Sequence, residues 1–184
     1  MALRCAVAPK RGVYGVDGTG DSVDTLRPDG HAPRLTEVAL EGLAERGLRG
    51  IILDLDNTSC AYGRPELAEG VAAWVAGARE AGFAVVLLSN NFSERVAAVA
   101  AQLGVPSVPC ALKPLPFGFR RALRLLGTAR AETVVIGDQL FTDVLGAKLL
   151  GLQAILTEPI VPRDFALTRV LRLLERLLFR RIPS

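Results

Sequence analysis

Four short apolar runs, each meeting a polar residue at its carboxyl end, constrain this chain more than anything else in it. They are Arg49-Gly-Ile-Ile-Leu-Asp54, Phe83-Ala-Val-Val-Leu-Leu-Ser89, Glu132-Thr-Val-Val-Ile-Gly137 with Asp138 behind it, and Leu152-Gln-Ala-Ile-Leu-Thr157. Apolar residues follow one another instead of alternating with polar ones, which marks strands buried on both faces. Helical periodicity fills the stretches between them, over 67–81, 93–103, 117–126 and 142–150. Further helices are expected at 35–46, with Thr36 as N-cap, and at 165–181. Gly47, Gly82, Gly104, Gly127 and Gly151 stand where the helices before them should stop. A short extended piece, 107–110, leads to Lys113-Pro114. Strand and helix therefore alternate. That order predicts an α/β fold of three layers, Rossmann-like, with a parallel sheet of about five strands and right-handed crossovers. In such sheets ligands sit at the carboxyl ends of the strands, where Asp54, Ser89, Lys113 and Asp138 fall.

The 184 residues suffice for one domain. Half are hydrophobic and 22 % charged, which excludes a disordered chain. No apolar stretch reaches the ~18 residues of a membrane span, and Pro9 and Lys10 cut short any signal-peptide core. Residues 9–34 are rich in Gly, Pro and Asp, so 1–34 is expected as loop or mobile segment ahead of a domain over 35–184. Gly15, Gly18 and Gly20 lack the preceding strand and the following Gly-Lys-Ser/Thr of a phosphate loop. Cys5, Cys60 and Cys110 form no C-x-x-C, which fits reduced thiols in a cytoplasmic protein. A single histidine, His31, excludes centres that need two. A net charge of +3 with 5 % aromatic residues argues against nucleic-acid binding.

Asp54 and Asp56 lie two residues apart in Asp54-Leu-Asp-Asn-Thr58. In extended backbone they share a side, roughly 6–7 Å apart. Taken alone, the string could be an Asp/Asn-rich turn closing the strand. Asp138 and Asp143 repeat the theme after the 132–137 strand, although Asp143 or Thr142 could also cap a helix. Carboxylates converging on one crevice need a cation, and hard oxygen donors favour Mg²⁺. Ser89, followed by Asn90 and Asn91, suits a phosphate oxygen or a helix cap. Lys113 is either a surface charge or a clamp facing the acids and a phosphate. Cys60 and Trp74 read as packing residues.

Acid, hydroxyl, lysine and acid at successive strand ends form a pattern that resembles the haloacid dehalogenase (HAD) superfamily of phosphohydrolases. The match is carried by Asp54-x-Asp56-x-Thr58, Ser89, Lys113 and Gly137-Asp138-x-x-x-x-Asp143, and runs from about Gly50 to Thr157. Leu55-Asp56-Asn57-Thr58, Ser89-Asn90-Asn91, Lys113-Pro114 and Gly137-Asp138-Gln139-Leu140-x-Thr142-Asp143 are similar to the YqeG-type class IIIA subgroup, which includes phosphatidylglycerophosphate phosphatases. At Ser59-Cys60 the chain departs from the apolar pair of that pattern.

The resemblance implies roles. Asp54 would be the nucleophile, forming an aspartyl-phosphate, and Asp56 the general acid and base. Asp54, the carbonyl of Asp56, Asp138 and Asp143 would hold Mg²⁺. Ser89 and Lys113 would hold the phosphoryl oxygens, Thr58 would buttress the loop, and Asn90 and Gln139 would touch substrate.

Neither the gap after Thr58 nor that between Ser89 and Lys113 has room for a folded cap domain, so an open site is expected. The expected helix 165–181 carries a leucine stripe and a separate stripe of Arg169, Arg172, Arg176 and Arg180. It would pack on the core or meet an anionic membrane surface. Three functions remain: a phosphatase acting on an anionic phospholipid, the same chemistry on a soluble metabolite or protein, and a phospho-accepting switch. Asp56 opposes the last, because a switch needs a long-lived aspartyl-phosphate.

Overall fold

The computed structural model describes residues 26–161. The expected helix 165–181, Cys5 and residues 1–25 of the N-terminal segment lie outside them. The strands are β1 (Gly30–Ala32), β2 (Gly50–Asp54), β3 (Ala84–Leu88), β4 (Ser107–Val108), β5 (Thr133–Gly137) and β6 (Gln153–Thr157). The helices are α1 (Leu40–Glu45), α2 (Val71–Glu80), α3 (Ser93–Leu103), α4 (Pro116–Leu126) and α5 (Leu145–Lys148). All strand pairs are parallel, in the order β1-β6-β5-β2-β3-β4.

Successive side chains of a strand point to opposite faces, so a sheet covered on both sides needs apolar residues of both parities. Ile51, Leu53, Val85, Leu87, Val134 and Ile136 face one core with α1, α2 and α3. Ile52, Val86, Leu88 and Val135 face the other, where Phe119, Ala122 and Leu126 of α4 meet Val144 and Ala147. This is the three-layer α/β fold the sequence predicts.

The sheet has six strands where about five were expected. The extra one, β1, comes from the stretch read as loop. Asp29 pins it: its N–H donates to the Ala154 carbonyl at 2.7 Å, and its carboxylate accepts from the Ala154 N–H and Lys148 Nζ, both at 2.7 Å. The expected helix 35–46 is broken into a 3-10 turn at Leu35–Glu37 and the short α1, leaving Thr36 inside the turn and not at a cap. Between them the backbone is extended, and the Val38 carbonyl accepts the Trp74 indole N–H at 2.9 Å. Trp74 is a core residue, as expected. Helix α2 starts at Val71 instead of 67, because Leu67 bridges to Cys60 and the Ala68 N–H donates to the Ser59 carbonyl at 2.9 Å. The chain over 59–70 is thus a loop folded back on the end of β2. The expected helix 142–150 opens as a π-helical turn over Leu140–Val144 before α5.

No cap domain is inserted at either point. Only loop lies between Thr58 and α2, and only α3, β4 and their turns separate Ser89 from Lys113. Among the described residues, no helix is long and apolar enough to cross a membrane.

Candidate active site

From β2 the chain winds out to β3 and β4, then crosses back to β5 and β6 on the other side, where β1 forms the far edge. Such a reversal opens a crevice at the carboxyl ends of the two central strands. Asp54 ends β2 and Asp138 directly follows β5, so the topology sets these acids on the two lips of that crevice.

Beyond Asp54 the backbone doubles back. The N–H groups of Ser59 and Cys60 both donate to the Leu55 carbonyl at 3.0 Å, and the Asn57 N–H donates to the Cys60 carbonyl at 2.7 Å. Asn57 sits at φ +63, a left-handed conformation that Asn tolerates better than most residues. The buried Ser59 hydroxyl donates to the Asp54 carbonyl at 2.7 Å. Ser59 therefore ties the loop to β2, whereas Thr58 Oγ1 is buried without a partner among the described residues.

Asp56 turns away from the other carboxylates. Its Oδ1 accepts from Arg95 and from the Gly63 N–H, the latter at 3.2 Å, and its Oδ2 accepts from the Asn91 amide. Arg95 also donates to the Arg64 carbonyl at 2.6 Å, so one guanidinium joins Asp56, α3 and the loop before α2.

Ser89 is buried, and its Oγ accepts the Asn91 N–H at 3.1 Å, leaving the hydroxyl proton available. Asn90 uses both ends of its amide on the Lys113 backbone, donating to the carbonyl at 3.1 Å and accepting the N–H at 2.6 Å. It thereby fixes the turn that carries the lysine. In that turn Cys110 and Leu112 also have left-handed φ, +51 and +55. Lys113 is buried, with its ammonium against Asp54 Oδ1 and, at 2.6 Å, against Asp143 Oδ1. Asp143 Oδ2 accepts the Gln139 N–H at 3.2 Å and the Thr142 hydroxyl at 3.4 Å. Gly137 makes room for this carboxylate: a Cβ there would lie 2.4 Å from Asp143 Cγ.

The electrostatics are crowded. Burial pushes Asp54 well above the ordinary carboxylate range; Lys113 opposes this, while Asp143 and Asp138 add to it. Asp138 rises to about 7 through burial and then through the charge of Asp143. Burial works against the Lys113 charge, but Asp143 and Asp54 outweigh it and hold the ammonium above the usual lysine range. Cys60, pushed up to about 11 by burial, stays a thiol and fits a packing role.

These groups suit a divalent cation. One oxygen each from Asp54, Asp138 and Asp143 lies within 4.8 Å of the others. Asp54 Oδ2 and Asp138 Oδ1 are buried with no hydrogen-bond partner among the described residues. Orphaned carboxylate oxygens are costly unless a cation or proton meets them. The carboxylate of Asp56 is outside this cluster. A cleft of about 350 Å³, lined by Leu35, Thr58, Ala68, Pro159 and Ile160 among others, opens beside Thr58.

The structure thus brings Asp54, Lys113, Asp138 and Asp143 into one cluster, with Asp56 beside it. It adds Ser59, Asn91 and Arg95, which sequence reading missed. Asn91 had a signal, its place beside Ser89-Asn90. Arg95 had none, being one of 19 arginines in the chain.

Residues 21–151 match the haloacid dehalogenase-like hydrolase family. The chain is 38 % identical over 149 residues to the probable phosphatase YqeG of Bacillus subtilis, covering 81 % of this chain and 87 % of that one. Among solved structures, NagD of E. coli K-12 superposes with a TM-score of 0.54 at 16 % identity, covering 65 % of this chain and 92 % of that one. An uncharacterized protein from Listeria monocytogenes serotype 4b gives 0.51 at 19 % identity, covering 73 % and 100 %. At such identities the two structures speak for the fold alone.

Proposed function

The chain belongs to the haloacid dehalogenase-like hydrolases and is a phosphatase, and from that premise we propose that it is a Mg²⁺-dependent phosphomonoesterase acting on phosphatidylglycerophosphate. The observation that carries the chemistry is the buried Lys113, paired with Asp54 and Asp143 opposite carboxylate oxygens that lack partners. An ammonium among carboxylates in a crevice without a cap domain is a place for phosphoryl oxygens.

In this reading one carboxylate oxygen of Asp54 attacks phosphorus and forms the aspartyl-phosphate as the bond to the leaving oxygen breaks. Asp56 gives that oxygen a proton, then takes one from the water that cleaves the phospho-enzyme. Arg95 and Asn91 orient Asp56 for both transfers. Ser89 and Lys113 hold the phosphoryl oxygens, and Asn90 sets the lysine turn. Mg²⁺, held by Asp54, Asp138, Asp143 and the Asp56 carbonyl, would supply the charge that lets a carboxylate approach an anionic phosphate. Thr58 and Gln139 border the place of the substrate, and the cleft beside Thr58 gives room for its alcohol portion. The lipid substrate is supported by similarity to the class IIIA subgroup and by the open approach to the site.

Phosphate release from phosphatidylglycerophosphate in detergent micelles, with Mg²⁺ or with EDTA, tests both parts. Release should require the cation and fall at least about 10²–10³-fold in Asp54→Asn. Turnover of an aryl phosphate without turnover of the lipid would remove the substrate and keep the chemistry. Silence on both would remove the reading.

A further inference from the structure

We propose that the loops on one side of the phosphate site form a lipid-binding rim that seats the open crevice on an anionic bilayer; this rests on the phospholipid reading above. The observation is where the exposed apolar side chains lie. Of the ten large ones exposed among the described residues, only Leu125 and Leu149 are at the amino edge of the sheet. The other eight are on loops or first turns at the carboxyl edge, around the site.

Six of them, Phe92, Leu112, Leu115, Phe117, Leu140 and Phe141, are on three neighbouring segments. The Cys110 N–H donates to the Asn91 carbonyl at 3.0 Å, joining the Phe92 loop to the lysine turn. Gly146, at the start of α5, packs so closely on Phe119 and Pro114 that a Cβ would fall 2.4 and 3.3 Å from them, which sets the Leu140-Phe141 turn beside the same lysine turn. Phe92 is 84 % and Phe117 63 % exposed. Apolar side chains gathered at one edge mark an interaction surface.

Two features choose a bilayer as the occupant. A protein seated on this rim would shut the crevice it borders, whereas a bilayer presents the phosphate to it. The charge also complements anionic lipid. Helix α4, which starts at the rim, has exposed Arg120, Arg121 and Arg124 and no acid. Arg120 and Arg121 are three and four residues from Phe117, on its side of the helix. The exposed acids Glu66, Glu69, Glu94 and Glu158 lie on the 55–70 loop, α3 and the stretch after β6, so the surface meets lipid by its α4 side. Aromatic side chains beside arginine are suited to the interface between headgroups and acyl chains.

The test is flotation of the full chain on vesicles of phosphatidylcholine alone or mixed with phosphatidylglycerol, with no substrate present. Wild type should float with the mixed vesicles, and high salt should reduce its recovery. Phe92→Ser should weaken binding about tenfold, and Phe92→Ser with Phe117→Ser further. Leu149→Ser, at the far edge, should float like wild type. All variants should hydrolyse a soluble aryl phosphate equally, which shows that the site is intact. Failure of wild type to float, or equal flotation of the phenylalanine variants, overturns the proposal. Equal binding to neutral vesicles overturns its anionic part. Because no substrate is present, these outcomes are separate from a failure to hydrolyse phosphatidylglycerophosphate in micelles.

Discussion

Asp56 has one carboxylate oxygen on Arg95 and the Gly63 N–H and the other on Asn91, so the group proposed to move protons is held by three partners. Replacing Arg95 by Ala leaves Asp56 only the Asn91 amide and the Gly63 N–H, which loosens it, and detaches the loop at Arg64. We expect kcat on an aryl phosphate to fall about 10–100-fold with KM little changed, since proton transfer by a well-placed group contributes about 10²–10⁴-fold. Arg95→Lys should restore part of kcat by supplying one donor. Unchanged kcat in Arg95→Ala would mean that Asp56 needs no such support. Of the residues in this contact, Asp56 was legible as part of D-x-D-x-T, whereas Arg95 was not. A contact between residues 39 apart in sequence exists only once α3 is packed.

At the scale of elements, glycine does what no other residue could at the end of β5. The Asp143 carboxylate lies against Gly137 and is held there by Lys113 and the Gln139 N–H. Gly137→Ala would drive a methyl into a group that has no freedom to retreat. We expect the variant to fold and to bind the activating cation at least about tenfold more weakly, read as the Mg²⁺ concentration for half-maximal turnover. An unchanged value would show that Asp143 has room to move. The elements also show where periodicity misleads. The stretch 35–46 has helical spacing, yet the Val38 carbonyl accepts the Trp74 indole N–H, and the backbone opens to allow it. Leu67 and Ala68 fit the pattern of α2 but pair with the loop after β2. In both places a partner outside the helix outcompeted local propensity.

For the molecule as a whole, a cluster of buried acids links stability to pH and to metal. Asp138 is raised to about 7 from a usual value of 3.8, and Asp54 is raised too. Without a cation, the folded state therefore keeps protons that the unfolded chain releases. Where the folded state binds more protons, stability falls as pH rises. The Asp138 contribution should thus be lost from about pH 4 upward and level off above about pH 7, and Asp54 adds a loss in the same direction. A divalent cation takes the place of those protons, so Mg²⁺ should raise Tm more at about pH 8 than at about pH 5.5. Thermal unfolding in EDTA and in Mg²⁺ at both values checks this, and Asp138→Asn should flatten the slope. An equal Mg²⁺ effect at both pH values, with an unchanged slope in Asp138→Asn, would refute the linkage.

The sequence by itself determined the layers and the lips of the crevice. Apolar runs without alternation require a sheet covered on both faces. Helices between them require parallel strands, and parallel strands bring Asp54, Ser89, Lys113 and Asp138 to one edge. Those are consequences of periodicity and chain direction, which are local properties. Tertiary structure decided the rest. It made β1 a strand, because Asp29 finds Ala154 and Lys148 far along the chain. It gave the loop tie to Ser59, turned Asn90 onto the lysine backbone, and set Arg95 on Asp56. It also gathered the exposed phenylalanines and leucines beside the site. Each of these depends on which distant groups meet and which stay uncovered, and only the packed chain decides that.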